Sequence, residues 1–169
     1  MIPIHHDLGP VRGLVGKNMA RVTTVFLSLM IVGCTKEESP ETQITKMLKQ
    51  SVMSANEQDL GALMDNVSDE FIGPYTMGKQ DAKRYIFAQL YRKQWHRVFL
   101  YDAKIDVQNE TEAKAQIRIA IARGNKIEKL EDLKNKADYD AFQLKIDLIK
   151  NDSKWQVTKA QHQKLGSID

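Results

Sequence analysis

From about residue 97 the spacing of apolar residues changes from roughly 3.6 to 2, and this switch limits the fold more than any other property of the chain. Phe99, Tyr101, Ala103, Ile105 and Val107 alternate with Asp102, Lys104 and Asp106. After Gln108-Asn109-Glu110, Ala113, Ala115, Ile117, Ile119 and Ile121 alternate with Lys114, Gln116 and Arg118. Alternation at period 2 predicts strands with one buried face, and the intervening polar residues predict a long hairpin. The pattern recurs with Phe142, Leu144, Ile146 and Leu148, a turn at Asn151-Asp152-Ser153, and a return strand through Trp155 and Val157. Four long antiparallel strands with one apolar face result.

The preceding segment is helical. Ile44, Met47, Leu48, Ser51, Val52 and Ala55 form one stripe at i, i+3, i+4, i+7, i+8 and i+11. Asn56-Glu57-Gln58 is expected to break it, and Asp59 to cap a shorter helix with Leu60, Leu63, Met64 and Val67 on one face. Glu70-Phe71-Ile72 reads as a brief strand ended by Gly73-Pro74. A third helix is predicted from Lys79 to about Trp95, with Ala82, Tyr85, Ile86 and Leu90 on one face. A polar excursion over 125–138, carrying Ile127, Leu130 and Leu133, separates the two hairpins. An amphipathic helix and a one-faced sheet cannot leave their apolar sides in water, so helices covering one face of an antiparallel sheet, an α+β fold, is the expected solution.

Ahead of this domain lies the apolar run Val22 to Met30, closed by Ile31-Val32-Gly33-Cys34, which holds the single cysteine. The run is too short for the ~20 residues of a spanning helix and matches the ~7–15 residues of a secretory leader. Residues 19 to 35 resemble a bacterial lipobox. The resemblance implies a signal peptide over 1–33, cleavage before Cys34, lipid on the Cys34 thiol, and a lipidated Cys with its linker over 34–40. Met19-Ala20-Arg21 makes a better start than residues 1 to 18, which begin without positive charge and contain Pro3 and Pro10, so translation from Met19 is expected. A lone cysteine cannot form an internal disulfide. Thr35, rather than Asp, after the lipidated cysteine suggests by the same resemblance the outer membrane, facing the periplasm, in a Gram-negative host. In a host with one membrane the same signal means the outer surface of the cell.

Removing Arg12, Lys17, Arg21 and Asp7 from the totals of 25 basic and 22 acidic residues leaves 22 and 21. So balanced a domain is not expected to bind nucleic acid, which calls for a clearly basic surface. His96 and His162 lack the spacing of a metal pair, no phosphate loop or nucleophile elbow is present, and neither metal nor cofactor is expected.

The order helix, short helix, short strand, helix and long antiparallel strands, ending in Ser153-Lys154-Trp155-Gln156-Val157, resembles the NTF2-like (cystatin-like) superfamily over 41–165. Asp59-Leu60 through Phe71-Ile72, and Gly78-Lys79 opening the third helix, carry the rest of the likeness. It implies an NTF2-like domain over 41–169, with a curved sheet folded around helices into a cone. In some members that cone holds Asp, Tyr or His for isomerase or dehydratase chemistry. In this sequence Tyr101 is the one polar-tipped residue in the apolar strand registers, so no acid–base set is evident and the reading favours no enzyme. Tyr85, Trp95, Phe99 and Tyr101 are the candidates for a pocket taking a small apolar ligand. The leading expectation is a non-catalytic binding or assembly module of the cell envelope. An isomerase- or lyase-type pocket enzyme and a structural component acting as a homodimer or larger oligomer are the alternatives. Membrane contact through the lipid, a small apolar ligand and an envelope protein are the expected partners.

Overall fold

The computed structural model describes residues 38–91, 96–123, 127–133 and 138–166; of His96, only the backbone is described. Cys34, Trp95 and the proposed leader lie outside this range. The order is helix α1 (Pro40–Asn56), helix α2 (Leu60–Met64), strand β1 (Val67–Ile72), helix α3 (Lys79–Leu90), and strands β2 (His96–Val107), β3 (Glu112–Arg123), β4 (Asp138–Asn151) and β5 (Lys154–Leu165). The strands form one sheet in the order β1-β5-β4-β3-β2, with β1 parallel to β5 and every other pairing antiparallel. The α+β architecture is as the sequence predicts.

Local chemistry sets the boundaries. Ser39 caps α1 by accepting from the Thr42 amide, and Pro40 follows at the first helical position, where its missing N–H costs nothing. Asn56 belongs to the helix, and the break falls at Glu57–Asp59, where Gln58 takes a positive φ of 59°. Asp59 then caps α2, accepting from the Ala62 amide at 2.9 Å. Between β4 and β5, Asp152 and Ser153 both have positive φ, as a two-residue hairpin loop of the I′ kind requires.

One face of the sheet carries α1. Ile44 (0 % exposed) and Leu48 pack on Ala113, Ala115, Ile117, Ile146, Leu148 and Trp155. The Trp155 indole N–H donates to Gln43 Oε1 at 3.1 Å, which satisfies a polar tip that burial would otherwise strand. α3 packs on β1 and α2. It ends at Leu90, short of the expected Trp95, and buries Ala82 and Leu90, whereas Tyr85 is 57 % exposed. Tyr85 therefore does not belong to the core face that helical spacing assigns it, because the contact side of this helix runs through Ala82 and Leu90.

The expected single face of β2 also needs correction. Leu100 pairs with Ile119 but Asp102 pairs with Arg118, so Tyr101 is an extra residue, a β-bulge. Before it, Val98 and Leu100 share the face of Ile121 and Ile119, and Phe99 shares the face of Ala120; beyond it, Ala103, Ile105 and Val107 take the α1 face. Phe99 and Tyr101 thus pack into a second apolar cluster on the far side of the sheet, with Ala120, Ala122, Ala141, Ile127 and Leu133. Leu133 (1 % exposed) and Ile127 come from the polar excursion, which acts as a cover. A second irregularity in β5, between the partners of Asp147 and Leu148, leaves Thr158 as the extra residue, its hydroxyl donating to the Asp147 carbonyl at 3.2 Å.

Candidate functional site

The unbroken register between β3 and β4 divides the side of the sheet away from α1, here called the outer face, into two halves. At one end the row Phe99, Ala120, Ala141, Leu165 runs across β2, β3, β4 and β5 and is apolar, and the 127–133 segment packs over it. At the other end three polar rows follow the same registers. They are Asp102, Arg118, Gln143, Gln163; then Lys104, Gln116, Lys145, Gln161; then Asp106, Lys114, Asp147, Lys159. Burial in β3 records the change: Ala113, Ala115 and Ile117 are buried on the α1 side, then Ala120 and Ala122 on the outer side.

The last two rows surround an open trough of about 470 Å³. It is lined by Lys104, Lys114, Lys145 and Lys159 together with Asp106, Asp147, Gln116 and Gln161, and by the strands at Ile105, Ala115 and Ile146, whose side chains belong to the α1 face. The sequence assigns Asp102, Asp106, Arg118, Lys145 and Asp147 to the register opposite the apolar one, and they take it. Among the described residues none of the four lysines lies within ion-pair distance of a carboxylate. Gln116 donates to Gln143 Oε1 at 2.9 Å, which ties the middle row to the one beside it. Arg118 and Asp102 approach to 3.8 Å at the trough's edge.

A second cluster lies in the register of the α1 face, at the end of the sheet where β4 begins. Asp140 pairs with Arg123 and, at 2.5 Å, with Lys164; its side chain is only 17 % exposed. Two cations thus share one half-buried carboxylate, and the charge-assisted contacts join β3, β4 and β5 at this end. Nearby, Phe142 meets His162 edge to face at 6.2 Å between centroids. No cluster of three metal-ligating side chains occurs among the described residues.

Of the four pocket candidates, the three among the described residues are not gathered around one cavity. Phe99 and Tyr101 are in the covered outer cluster, Tyr85 stands exposed on α3, and Trp95 lies outside the described residues. Phe87 and Tyr91 are exposed as well and stack on each other at 4.5 Å. Sequence reasoning passed over Asp140 and the lysine rows, although alternation carries a signal for both: Asp140 is two residues before Phe142, and Lys104, Lys114 and Lys145 hold the polar positions of three strands.

No family model matches the chain, and none of the curated proteins matches it in sequence. Solved structures do match. One is a protein of unknown function with a cystatin-like fold from Nostoc punctiforme, 16% identical, with a TM-score of 0.56 over 76% of this chain and 92% of its own. Another, from Novosphingobium aromaticivorans and provisionally named a scytalone dehydratase, is 13% identical with a TM-score of 0.61 over 75% of this chain and 84% of its own. A protein of unknown function from Mycobacterium tuberculosis is 13% identical with a TM-score of 0.61, covering 76% and 73%. The domain thus has the NTF2-like, cystatin-like fold. Identities this low speak for architecture and leave activity to the residues themselves.

Proposed function

We propose that the protein is a membrane-anchored lipoprotein whose NTF2-like domain is a non-catalytic binding module of the cell envelope, meeting its ligand or partner on the open half of the outer sheet face. The observation that carries this reading is the trough: an open stretch of the outer face whose four lysines have no carboxylate within ion-pair distance among the described residues. The Asp140 carboxylate, held between Arg123 and Lys164, has a place in fixing the sheet end. No helix among the described residues is long and apolar enough to cross a membrane, and the anchor is assigned to lipid on Cys34. Stable attachment through lipid needs two or more acyl chains, which the lipobox resemblance implies. Thr35 after the modified cysteine favours the outer membrane, facing the periplasm, in a Gram-negative host.

Two measurements test the two halves of this reading. Cys34→Ser should release the protein from the membrane fraction, and intact mass of the parent should show a chain beginning at Cys34 with acyl groups added; a parent chain uncut before Cys34 would refute the anchor. A photo-crosslinker at Gln161 should trap a partner or ligand in whole cells, whereas one at Lys83 on the exposed side of α3 should not. Equal trapping at both positions would refute the outer face as the contact surface.

A further inference from the structure

We propose that the trough is an anion site, and that its ligand is a small molecule or headgroup carrying two or more phosphate or carboxylate groups. This rests on the outer-face reading above and narrows it to a chemistry. Four adjacent strands each contribute one ammonium group: Lys104 from β2, Lys114 from β3, Lys145 from β4 and Lys159 from β5. Against these stand two carboxylates, Asp106 and Asp147, so the trough has a net charge of two positive. From Cys34 onward the 22 basic and 21 acidic residues nearly cancel, which means that the remainder of that stretch is slightly acidic. The trough therefore carries a net positive charge that the rest of the stretch, taken as a sum, does not. A concave, partly low-dielectric surface focuses such a field.

Spacing selects an anion over a cation. Asp106 and Asp147 lie two strands apart with Lys114 between them, so no two carboxylates are neighbours on which a metal or ammonium ligand could bridge. Lys104 and Lys145 are likewise two strands apart, as are Lys114 and Lys159, a separation of about 9–10 Å between backbones. The two pairs occupy successive rows, so their flexible ammonium groups can converge from opposite sides on one bound group or span two. A monovalent ion would meet too few of them to offset the solvation it loses. A multivalent anion engages all four, and Gln116 and Gln161 add neutral N–H donors from the same row. The volume, about 470 Å³, lies within the range of small-ligand sites. Asp106 and Asp147 would weaken the site and, in return, keep the ligand-free lysines from repelling one another.

Titration of the full-length chain in neutral maltoside micelles with inorganic pyrophosphate tests this, read by NMR at the side-chain amides of Gln116 and Gln161. Saturable shifts at both are expected. The double variant Lys104→Gln/Lys145→Gln should weaken binding at least tenfold, whereas Asp147→Asn should tighten it severalfold, a gain that mere damage to the fold cannot produce. Unshifted Gln116 and Gln161 amides, or an unchanged Kd in the lysine variant, would overturn the proposal. Cys34→Ser protein mixed with vesicles of phosphatidylcholine alone or of phosphatidylcholine with cardiolipin, whose headgroup carries two phosphates, then separates the two sources. Retention on the cardiolipin vesicles alone, lost in the lysine variant, identifies a lipid headgroup; pyrophosphate binding without vesicle preference identifies a soluble anion. The fractionation and crosslinking tests above are independent of this titration, so the anchor, the contact surface and the anion chemistry can each fail separately.

Discussion

Asn56, the last residue of α1, pairs its side-chain amide with the backbone of Val98 on the edge strand β2: Nδ2 donates to the Val98 carbonyl at 3.0 Å and Oδ1 accepts from the Val98 amide at 2.7 Å. A side chain 42 residues away thus supplies the two bonds that a further strand would make. An unpaired edge invites pairing with another chain, and here a helix terminus closes one step of it. Asn56→Ala should cost about 1–3 kcal/mol, since it leaves two part-buried backbone groups unsatisfied. Asn56→Asp keeps only the acceptor and turns a carboxylate toward the Val98 carbonyl, so it should be no milder. Urea unfolding of the variants checks both.

The excursion between β3 and β4 is a structural cover, and Leu133 is its anchor. Leu133→Ala should cost about 2–5 kcal/mol, as for a fully buried leucine in any core. Its neighbour Glu131, which is exposed, should tolerate Ala within about 0.5 kcal/mol. Thermal or urea unfolding that scored the two substitutions alike would show the segment to be a mere loop.

Beneath α1, Ile44→Ala should be among the most damaging single changes, about 2–5 kcal/mol, because the side chain has no exposed surface and sits where helix meets sheet. Met53→Ala on the same helix lies on an exposed turn and should change stability little. Chemical denaturation midpoints compare them directly.

On α3, the Arg84 guanidinium bonded to Asp81 holds that carboxyl below the ordinary value of 3.8. A depressed pKa in the folded state means that the pair contributes above the unfolded value and that this contribution disappears as pH falls through the folded one. Arg84→Gln should raise the Asp81 pKa toward 3.8 in a carboxyl-carbon NMR titration, and should make acid unfolding less sensitive to pH in that window. An unaltered titration curve would show that the pair is not formed in solution.

The reach of sequence reasoning follows from what each residue reports. Ile44, Leu48 and the alternating residues of β3 and β4 report burial directly, so α1 and the central hairpins were legible to within a residue or two. Tyr101 does not announce a bulge: an unbroken alternation reads the same whether or not one residue is left unpaired, and only the pairing of Leu100 with Ile119 and Asp102 with Arg118 reveals the shift. From that one residue came the misplacement of Phe99. Tyr85 was misread for another reason, since a third helical contact at that spacing is available to either flank of a helix and only tertiary packing chooses. The trough was visible in part as polar positions along single strands, but assembling four lysines into one site required the cross-strand register, which no single strand encodes.

That same register has an evolutionary corollary. Because each lysine of the trough is borrowed from a different strand, a single-residue insertion inside any of β2 to β5 would swing its lysine toward the hydrophobic interior and bring an isoleucine or alanine out to water. Length variation among descendants of this chain should therefore concentrate in the hairpin tips and in the excursion, while the strand lengths between them stay fixed.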